Sequence, residues 1–418
     1  MNTLNYYFIL FFLLSNSLFA QKDCGTTNHG FIPLPDLVNQ NYRGYSGGLY
    51  PNGTNQKPGS HFNDLQLQVN SLTTLDSSGM VSAQGKLVMI GVGASNPRTE
   101  FNRLIMYADT FKQINPSLKL LNTCIGGQGI QKINTINDNY WNSAYQSLKD
   151  SGLSYKQVQL AWVEIDNTAN PDTSFPSAPN GLVSEYQALF EVLLIKFPNL
   201  KICYLSARAY SGFAMPTQGG VGKGLLYPRD YLSGWANKFF IENEINGQPG
   251  FIYKGANRTI PMVTWGSYHW SDGGTPRLDG IALECDSDVG GDGLHLTEKG
   301  EWKIGLQMLD FFRNDALAKQ WFLKSNQSNG IISSQRAENL LVFPNPLQDE
   351  TLHLKENLIE LGTNYTLIIR DISGKLVYER TTMKEEEIQV PIQSFTKGIY
   401  SIQLFTQALN LQSRFVVQ

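Results

Sequence analysis

The chain has 418 residues, of which 41% are hydrophobic and 17% charged, and its formal net charge is −3. This is a globular balance rather than a disordered one, and the length allows more than one domain of about 150 residues. No basic stripe is present, which argues against nucleic acid as a partner.

Residues 1–20 read as a signal peptide. Tyr6 to Phe19 is apolar apart from Ser15, Asn16 and Ser17, and the small residue Ala20 stands at the expected cleavage point. No Lys or Arg precedes the apolar core. The core is shorter than the roughly 20 apolar residues of a membrane span, and no later stretch is long enough to be one. Residues 21–79 are rich in Asn, Gly, Pro and Ser, as in Tyr50-Pro51-Asn52-Gly53. They are expected to form loops, with a strand or two, packed on the main domain.

From about Gly85 the pattern alternates between strand and helix. Lys86 to Val92, Leu118 to Leu121, Val158 to Val163, Leu200 to Leu205 and Ile260 to Trp265 are short apolar runs of strand type. Between them, Tyr186, Leu189, Phe190, Leu193 and Leu194 fall on one helical face, as do Leu232, Trp235, Ala236, Phe239 and Phe240. Continuous apolar strands separated by amphipathic helices imply a parallel sheet buried on both faces. A three-layer α/β domain is therefore expected over residues 80–325. Residues 326–339 read as a polar linker. Residues 340–418 carry short alternating segments such as Tyr365 to Arg370 and Ile399 to Phe405, broken by the turn signal Asp371-Ile372-Ser373-Gly374. They are expected to form a small all-β sandwich.

Cys24, Cys124, Cys203 and Cys285 lack C-x-x-C spacing, so no metal site is expected from them. Export permits disulfides. Three pairings are open, as is the alternative of free buried thiols.

Three segments can carry chemistry. Gly91-Val92-Gly93-Ala94-Ser95-Asn96 follows a buried strand and precedes a helix expected over Thr99 to Phe111. That turn places Ser95 at the carboxyl end of a parallel strand, beside backbone N–H groups that can hold an oxyanion. Taken alone, Ser95 and Asn96 also fit simple helix caps. Cys124-Ile125-Gly126-Gly127-Gln128-Gly129 is a second turn after a strand, where glycines let backbone approach a ligand. The third segment is Asp292-Gly293-Leu294-His295, just before a helix expected near Glu298. A serine needs a base, histidine is suited to that task, and an aspartate three residues earlier can turn back to orient the imidazole. Of the five histidines, His295 alone combines a nearby Asp with the start of a helix.

In this order the three segments resemble the SGNH hydrolase superfamily (GDSL-type esterases) over about residues 85–313. The resemblance implies a flavodoxin-like fold and a catalytic triad of Ser95, His295 and Asp292. It also implies an oxyanion hole from Ser95 and Gly127 (or Gly126), with an asparagine from a third block. Here that block reads Glu164-Ile165-Asp166-Asn167, so Asn167 is the candidate amide, whereas Glu164 or Asp166 in its place would repel an oxyanion. The stretch from Trp162 to Phe322 is similar to a bacterial branch of SGNH-like proteins. In that stretch Arg208, Tyr268, His269, Trp270 and Arg277, together with Asn96, are candidates for lining the substrate cleft.

Val342-Phe343-Pro344-Asn345-Pro346, Asp371-Ile372-Ser373-Gly374-Lys375, Lys397-Gly398-Ile399-Tyr400 and the terminal Phe415-Val416-Val417 resemble a type IX secretion sorting domain. This implies a secreted or surface-bound protein that engages the type IX machinery through residues 340–418. The combined expectation is a secreted serine esterase removing acyl groups, taken to be acetyl, from a polysaccharide without metal or cofactor. A lipase, or a glycan-binding protein on a degenerate SGNH scaffold, are the alternatives.

Overall fold

The computed structural model describes residues 22–215, 222–324, 341–347, 351–355, 364–372, 375–384, 388–405 and 410–418. The expected signal peptide and linker lie outside the described residues. The chain divides into two compact units, Met1–Asn326 and Gln327–Gln418.

The first unit is built on five parallel strands: β1 (Leu87–Gly93), β2 (Leu118–Asn122), β3 (Val158–Glu164), β4 (Ile202–Ala207) and β5 (Met262–Tyr268). Every residue of β1, β3, β4 and β5 is buried, which is why these segments read as continuous apolar runs. β2 is half-exposed and forms one edge. The strand order is β2-β1-β3-β4-β5, the order of flavodoxin-like doubly wound sheets.

The helices are α1 (Gly59–Asn70), α2 (Ser95–Thr110), α3 (Asn139–Asp150), α4 (Ser177–Lys196), α5 (Arg229–Ile245), the single turn α6 (Cys285–Asp288) and α7 (Glu298–Asn314). From β1 the chain moves outward to β2 and then back across to β3. Right-handed crossovers in opposite directions place α2 on one face and α3, α4 and α5 on the other. α7 packs against α2. The reversal of direction opens a crevice at the carboxyl ends of β1 and β3, where this class of sheet binds its ligands. There Gly93 pairs with Glu164. A Cβ on Gly93 would lie 2.5 Å from both the Glu164 carbonyl oxygen and Pro97, so only glycine lets the chain turn this tightly from β1 into α2.

The N-terminal segment has the strands expected among its loops and, beyond that expectation, a helix. It contains a hairpin of two-residue strands (Asn41–Tyr42 and Tyr45–Ser46) and the twelve-residue helix α1, which buries His61, Leu65 and Val69 on one side. Three buried positions among Gly, Ser, Asn and Gln residues make a weak periodic signal. Tertiary packing supplies what propensity lacks. A disulfide joins Cys24 to Cys285, while Cys124 and Cys203 are buried free thiols.

Among the described residues the second unit has seven strands, paired antiparallel: β6 (Leu341–Phe343), β7 (Thr351–Lys355), β8 (Asn364–Asp371), β9 (Leu376–Met383), β10 (Ile388–Pro391), β11 (Gly398–Phe405) and β12 (Asn410–Val417). They form two sheets, β9-β8-β11-β12 and β10-β7-β6. Leu352, Leu354 and Val390 of one sheet share a single core with Leu367, Ile369, Ile402 and Phe415 of the other. The two sheets therefore pack face to face, as in a sandwich.

Candidate active site

Ser95 is the first residue of α2. The preceding residue, Ala94, offers no side-chain cap. The Ser95 N–H, at the start of the helix, has no carbonyl one turn back to bond to. Its hydroxyl does not cap the helix but reaches across to the loop before α7, where Ser95 Oγ lies 2.8 Å from His295 Nε2. On the other side of the ring, His295 Nδ1 is 2.5 Å from Asp292 Oδ2. The second carboxylate oxygen, Oδ1, accepts the backbone N–H groups of Leu294 (3.0 Å) and His295 (2.9 Å).

Local sequence explains this loop. Gly293 has φ +71°, a left-handed conformation, and a Cβ there would lie 2.2 Å from the Phe213 carbonyl oxygen. Glycine thus permits the turn that brings Asp292 back over His295. The Gly290 N–H donates to the His295 carbonyl (2.7 Å), and Asn96 Nδ2 donates to the Leu294 carbonyl (3.0 Å). Thr297 caps α7 by accepting the Gly300 N–H, so the loop ends on a fixed helix start.

Partial burial alone would raise the Asp292 pKa. The hydrogen bonds from the His295 ring and from the Leu294 and His295 N–H groups outweigh it, and the pKa falls from 3.8 to about 2. An ionised Asp292 keeps the ring proton on Nδ1 and leaves the Nε2 lone pair free to accept the Ser95 hydroxyl hydrogen.

Ser95 opens onto a small cleft lined by Asn96, Glu164, Asp166, Thr168 and Arg208 together with apolar residues such as Pro97, Ile165 and Leu225. Gly126 is the glycine beside the serine: a Cβ on it would stand 3.9 Å from Ser95 Cβ. Gly127 is the left-handed residue of that turn, and its carbonyl accepts Lys132 Nζ at 3.0 Å. Asn167 is not among the lining residues. Its Nδ2 donates to Glu185, and its Oδ1 accepts the N–H groups of Ala169 (3.0 Å) and Asn170 (3.1 Å). This corrects the expectation for Asn167, whose amide is engaged in shaping its own loop.

A second correction concerns the residues expected around substrate. Asn96 and Arg208 do line the cleft. Tyr268, His269, Trp270 and Arg277 are buried and lie outside that lining. Their partners explain why. The Tyr268 hydroxyl accepts the Leu34 N–H (3.2 Å), Trp270 Nε1 donates to Asp230 (2.7 Å), and Arg277 bonds to Asp279 and to the Tyr268 carbonyl. The N-terminal segment covers this end of the sheet, also accepting Trp265 Nε1 on the Leu49 carbonyl (2.6 Å). A loop after a strand is open to substrate only where nothing packs over it.

Sequence reasoning missed the polar residues of the cleft's inner wall. Asp166 is fully buried between Arg208 (3.5 Å) and Arg229. Burial pushes its pKa up, against the pull of the two guanidinium groups. Glu164 is pushed up to about 8 by burial. His269, which lies 2.8 Å from Glu164, is pushed down to about 4 by burial. The available signal was two acidic residues, Glu164 and Asp166, ending an apolar run.

Residues 341–418 match the family described as the secretion system C-terminal sorting domain. The C-terminal unit is a type IX secretion sorting domain. The sorting domain directs the chain through type IX secretion to the outer surface or the extracellular space, and with it goes engagement of that machinery. Among the described residues, no helix is long and apolar enough to cross a membrane.

A comparison with curated proteins finds no match. Solved structures give distant likenesses. An acetyl xylan esterase, AlAXEase, is 14% identical, with 53% of this chain and 97% of that one covered and a TM-score of 0.29. A DUF3244 family protein with an immunoglobulin-like β-sandwich fold from Bacteroides vulgatus is 22% identical, with 19% and 84% covered and a TM-score of 0.17. An endo-β-1,4-mannanase double mutant from Cellulomonas fimi is 12% identical, with 86% and 70% covered and a TM-score of 0.21. Scores this low carry no argument about fold or function.

Proposed function

We propose that the first unit is an SGNH-type serine ester hydrolase acting outside the cell on an acylated carbohydrate. The observation that carries this reading is the unbroken hydrogen-bonded line Ser95–His295–Asp292 at the mouth of a cleft. Ser95 Oγ attacks the ester carbonyl while His295 Nε2 takes its proton. Asp292 holds the ring's orientation and stabilises the imidazolium. The tetrahedral oxyanion forms beside the N-terminus of α2, where the Ser95 N–H and the backbone of the Gly126-Gly127 turn are the donors to hand. His295 then returns the proton to the leaving alcohol, and water resolves the acyl-enzyme by the same route.

Secretion of the chain supports a substrate outside the cell, such as an acylated polysaccharide. The cleft beside Ser95 combines polar groups, from Asn96, Glu164, Asp166, Thr168 and Arg208, with apolar ones, from Ala94, Pro97, Ile165, Leu225 and Leu294. Acetyl is the first candidate for the acyl group.

Ser95→Ala tests the reading. Wild type should hydrolyse p-nitrophenyl acetate and release acetate from acetylated polysaccharide. The variant should lose at least about a thousandfold in kcat while staying folded. The engaged amide of Asn167 favours a second reading, a glycan-binding protein on a degenerate scaffold. Wild type that binds acetylated glycan without releasing acetate would establish that reading and end the first.

A further inference from the structure

Behind the Ser95 turn lies a second cluster that takes no part in the line from Ser95 to Asp292. Glu100 lies in the second turn of α2, Glu164 closes β3, and His269 follows β5. All three are buried, with exposures of 0%, 1% and 0%. His269 Nδ1 is 2.8 Å from Glu164 Oε2 and 3.9 Å from Glu100 Oε2. One ligand-type atom from each residue lies within 4.8 Å of the others.

Three observations set this cluster apart from an ordinary buried hydrogen-bond network. Neither carboxyl oxygen of Glu100 meets a hydrogen-bond donor among the described residues. What lies against Glu100 is a second carboxyl group, that of Glu164. No Lys or Arg among the described residues makes an ion pair with either glutamate. Arg208, the nearby cation, is bonded to Asp166 and to the Leu225 carbonyl. Finally, His269 Nε2 is held by Ser267 Oγ at 2.6 Å. When Ser267 Oγ accepts Nε2–H, the Nδ1 lone pair faces Glu164 and Glu100; in the other tautomer Nδ1–H donates to Glu164.

Buried carboxylates must be neutralised or paired. Two carboxyl groups and one imidazole, convergent and with both oxygens of Glu100 lacking a donor, form the ligand set of a divalent cation. The far nitrogen of the imidazole is anchored by an outer partner, as in metal-binding histidines. The geometry points to a divalent-metal site formed by Glu100, Glu164 and His269, for an ion that accepts mixed nitrogen and oxygen donors, such as Zn²⁺ or Mn²⁺. The ion enters through the cleft, since Glu164 is part of its lining. It neutralises both carboxylates and ties α2, β3 and the segment after β5 together directly behind Ser95. Its role is to hold that turn in place; it does not contact the ester. The site does not depend on the esterase reading, because its evidence is the ligand set alone.

The test uses the purified full chain. Elemental analysis by mass spectrometry is followed by stripping with a chelator and calorimetric titration with Zn²⁺ and Mn²⁺ separately. Wild type should bind about one equivalent, and its thermal midpoint should rise with the ion and fall with the chelator. Glu100→Gln should weaken binding at least about tenfold. If that variant fails to fold, wild-type stoichiometry and the chelator-induced shift still decide. No binding and no shift in wild type would overturn the proposal, leaving a proton shared between the glutamates. Binding unchanged in a folded Glu100→Gln would overturn it equally.

Discussion

Replacing Asp292 by Asn probes the active-site reading most sharply, because the substitution keeps shape and removes one property. Asn Oδ1 can still accept the Leu294 and His295 N–H groups, which now lie 3.0 and 2.9 Å from Asp292 Oδ1. The group facing His295 Nδ1, now a carboxylate oxygen at 2.5 Å, becomes an NH₂. The ring proton must then move to Nε2, facing Ser95 Oγ, and the imidazole can no longer accept the serine proton. The wrong tautomer costs about 10³–10⁴ in kcat, equivalent to about 4–5.5 kcal/mol on the barrier. The cost in stability is smaller. The Asp292 pKa is lowered from 3.8 to about 2. At about 1.4 kcal/mol per unit, discounted for a partly exposed side chain, this is about 1–2 kcal/mol. A depressed carboxylate stabilises the fold above its unfolded pKa of about 3.9 and loses that contribution as pH falls through about 2. Wild type and Asp292→Asn should therefore differ in thermal midpoint at pH 7 and converge near pH 2. The assay is p-nitrophenyl acetate hydrolysis at a temperature where circular dichroism shows both proteins folded. A folded Asp292→Asn variant keeping more than about a tenth of wild-type kcat would refute the assignment of Asp292.

Three further outcomes are expected. Asn167→Ala should change kcat less than about threefold, since its amide is bonded to Glu185; an oxyanion donor would cost about 10²–10³. Gly293→Ala places a Cβ 2.2 Å from the Phe213 carbonyl oxygen at φ +71°. It should cost about 2 kcal/mol or more of stability in urea unfolding and lower kcat at least about tenfold by shifting His295. Cys24→Ser removes a crosslink spanning 261 positions. Its urea midpoint should fall by an amount equivalent to about 2–5 kcal/mol, and dithiothreitol should do the same to wild type.

The central sheet was legible because burial on both faces leaves no room for polar residues. Leu87 to Gly93 and Val158 to Val163 announce themselves as continuous apolar runs, and the edge strand β2 shows its position by carrying Lys119 and Asn122. The hydrogen-bonded convergence of Ser95, His295 and Asp292 was foreshadowed by residue type and chain order, across 200 positions, and the roles of nucleophile, base and orienting acid are what we propose for them. Helix α1 was not legible, because its few apolar residues gain their helix from packing rather than propensity.

The misplacement of Tyr268, His269, Trp270 and Arg277 has a different origin. Loops at the carboxyl end of a parallel sheet are the natural place for ligand contacts, and aromatic and basic residues there resemble a binding surface. Whether such a loop faces solvent depends on what covers it. Here the cover comes from Leu34, Leu49 and their neighbours, more than 200 residues earlier in the chain, through backbone groups that carry no side-chain signal. The same long-range packing hid the Glu100–Glu164–His269 cluster: its three members lie on separate elements, and no local spacing relates them. Glu164 was the visible clue. A buried strand that ends in an acidic residue must bring that residue a partner; the neighbouring β1 leads beyond Gly93 into α2, while His269 comes from the segment after β5, which the strand order alone does not place beside β3.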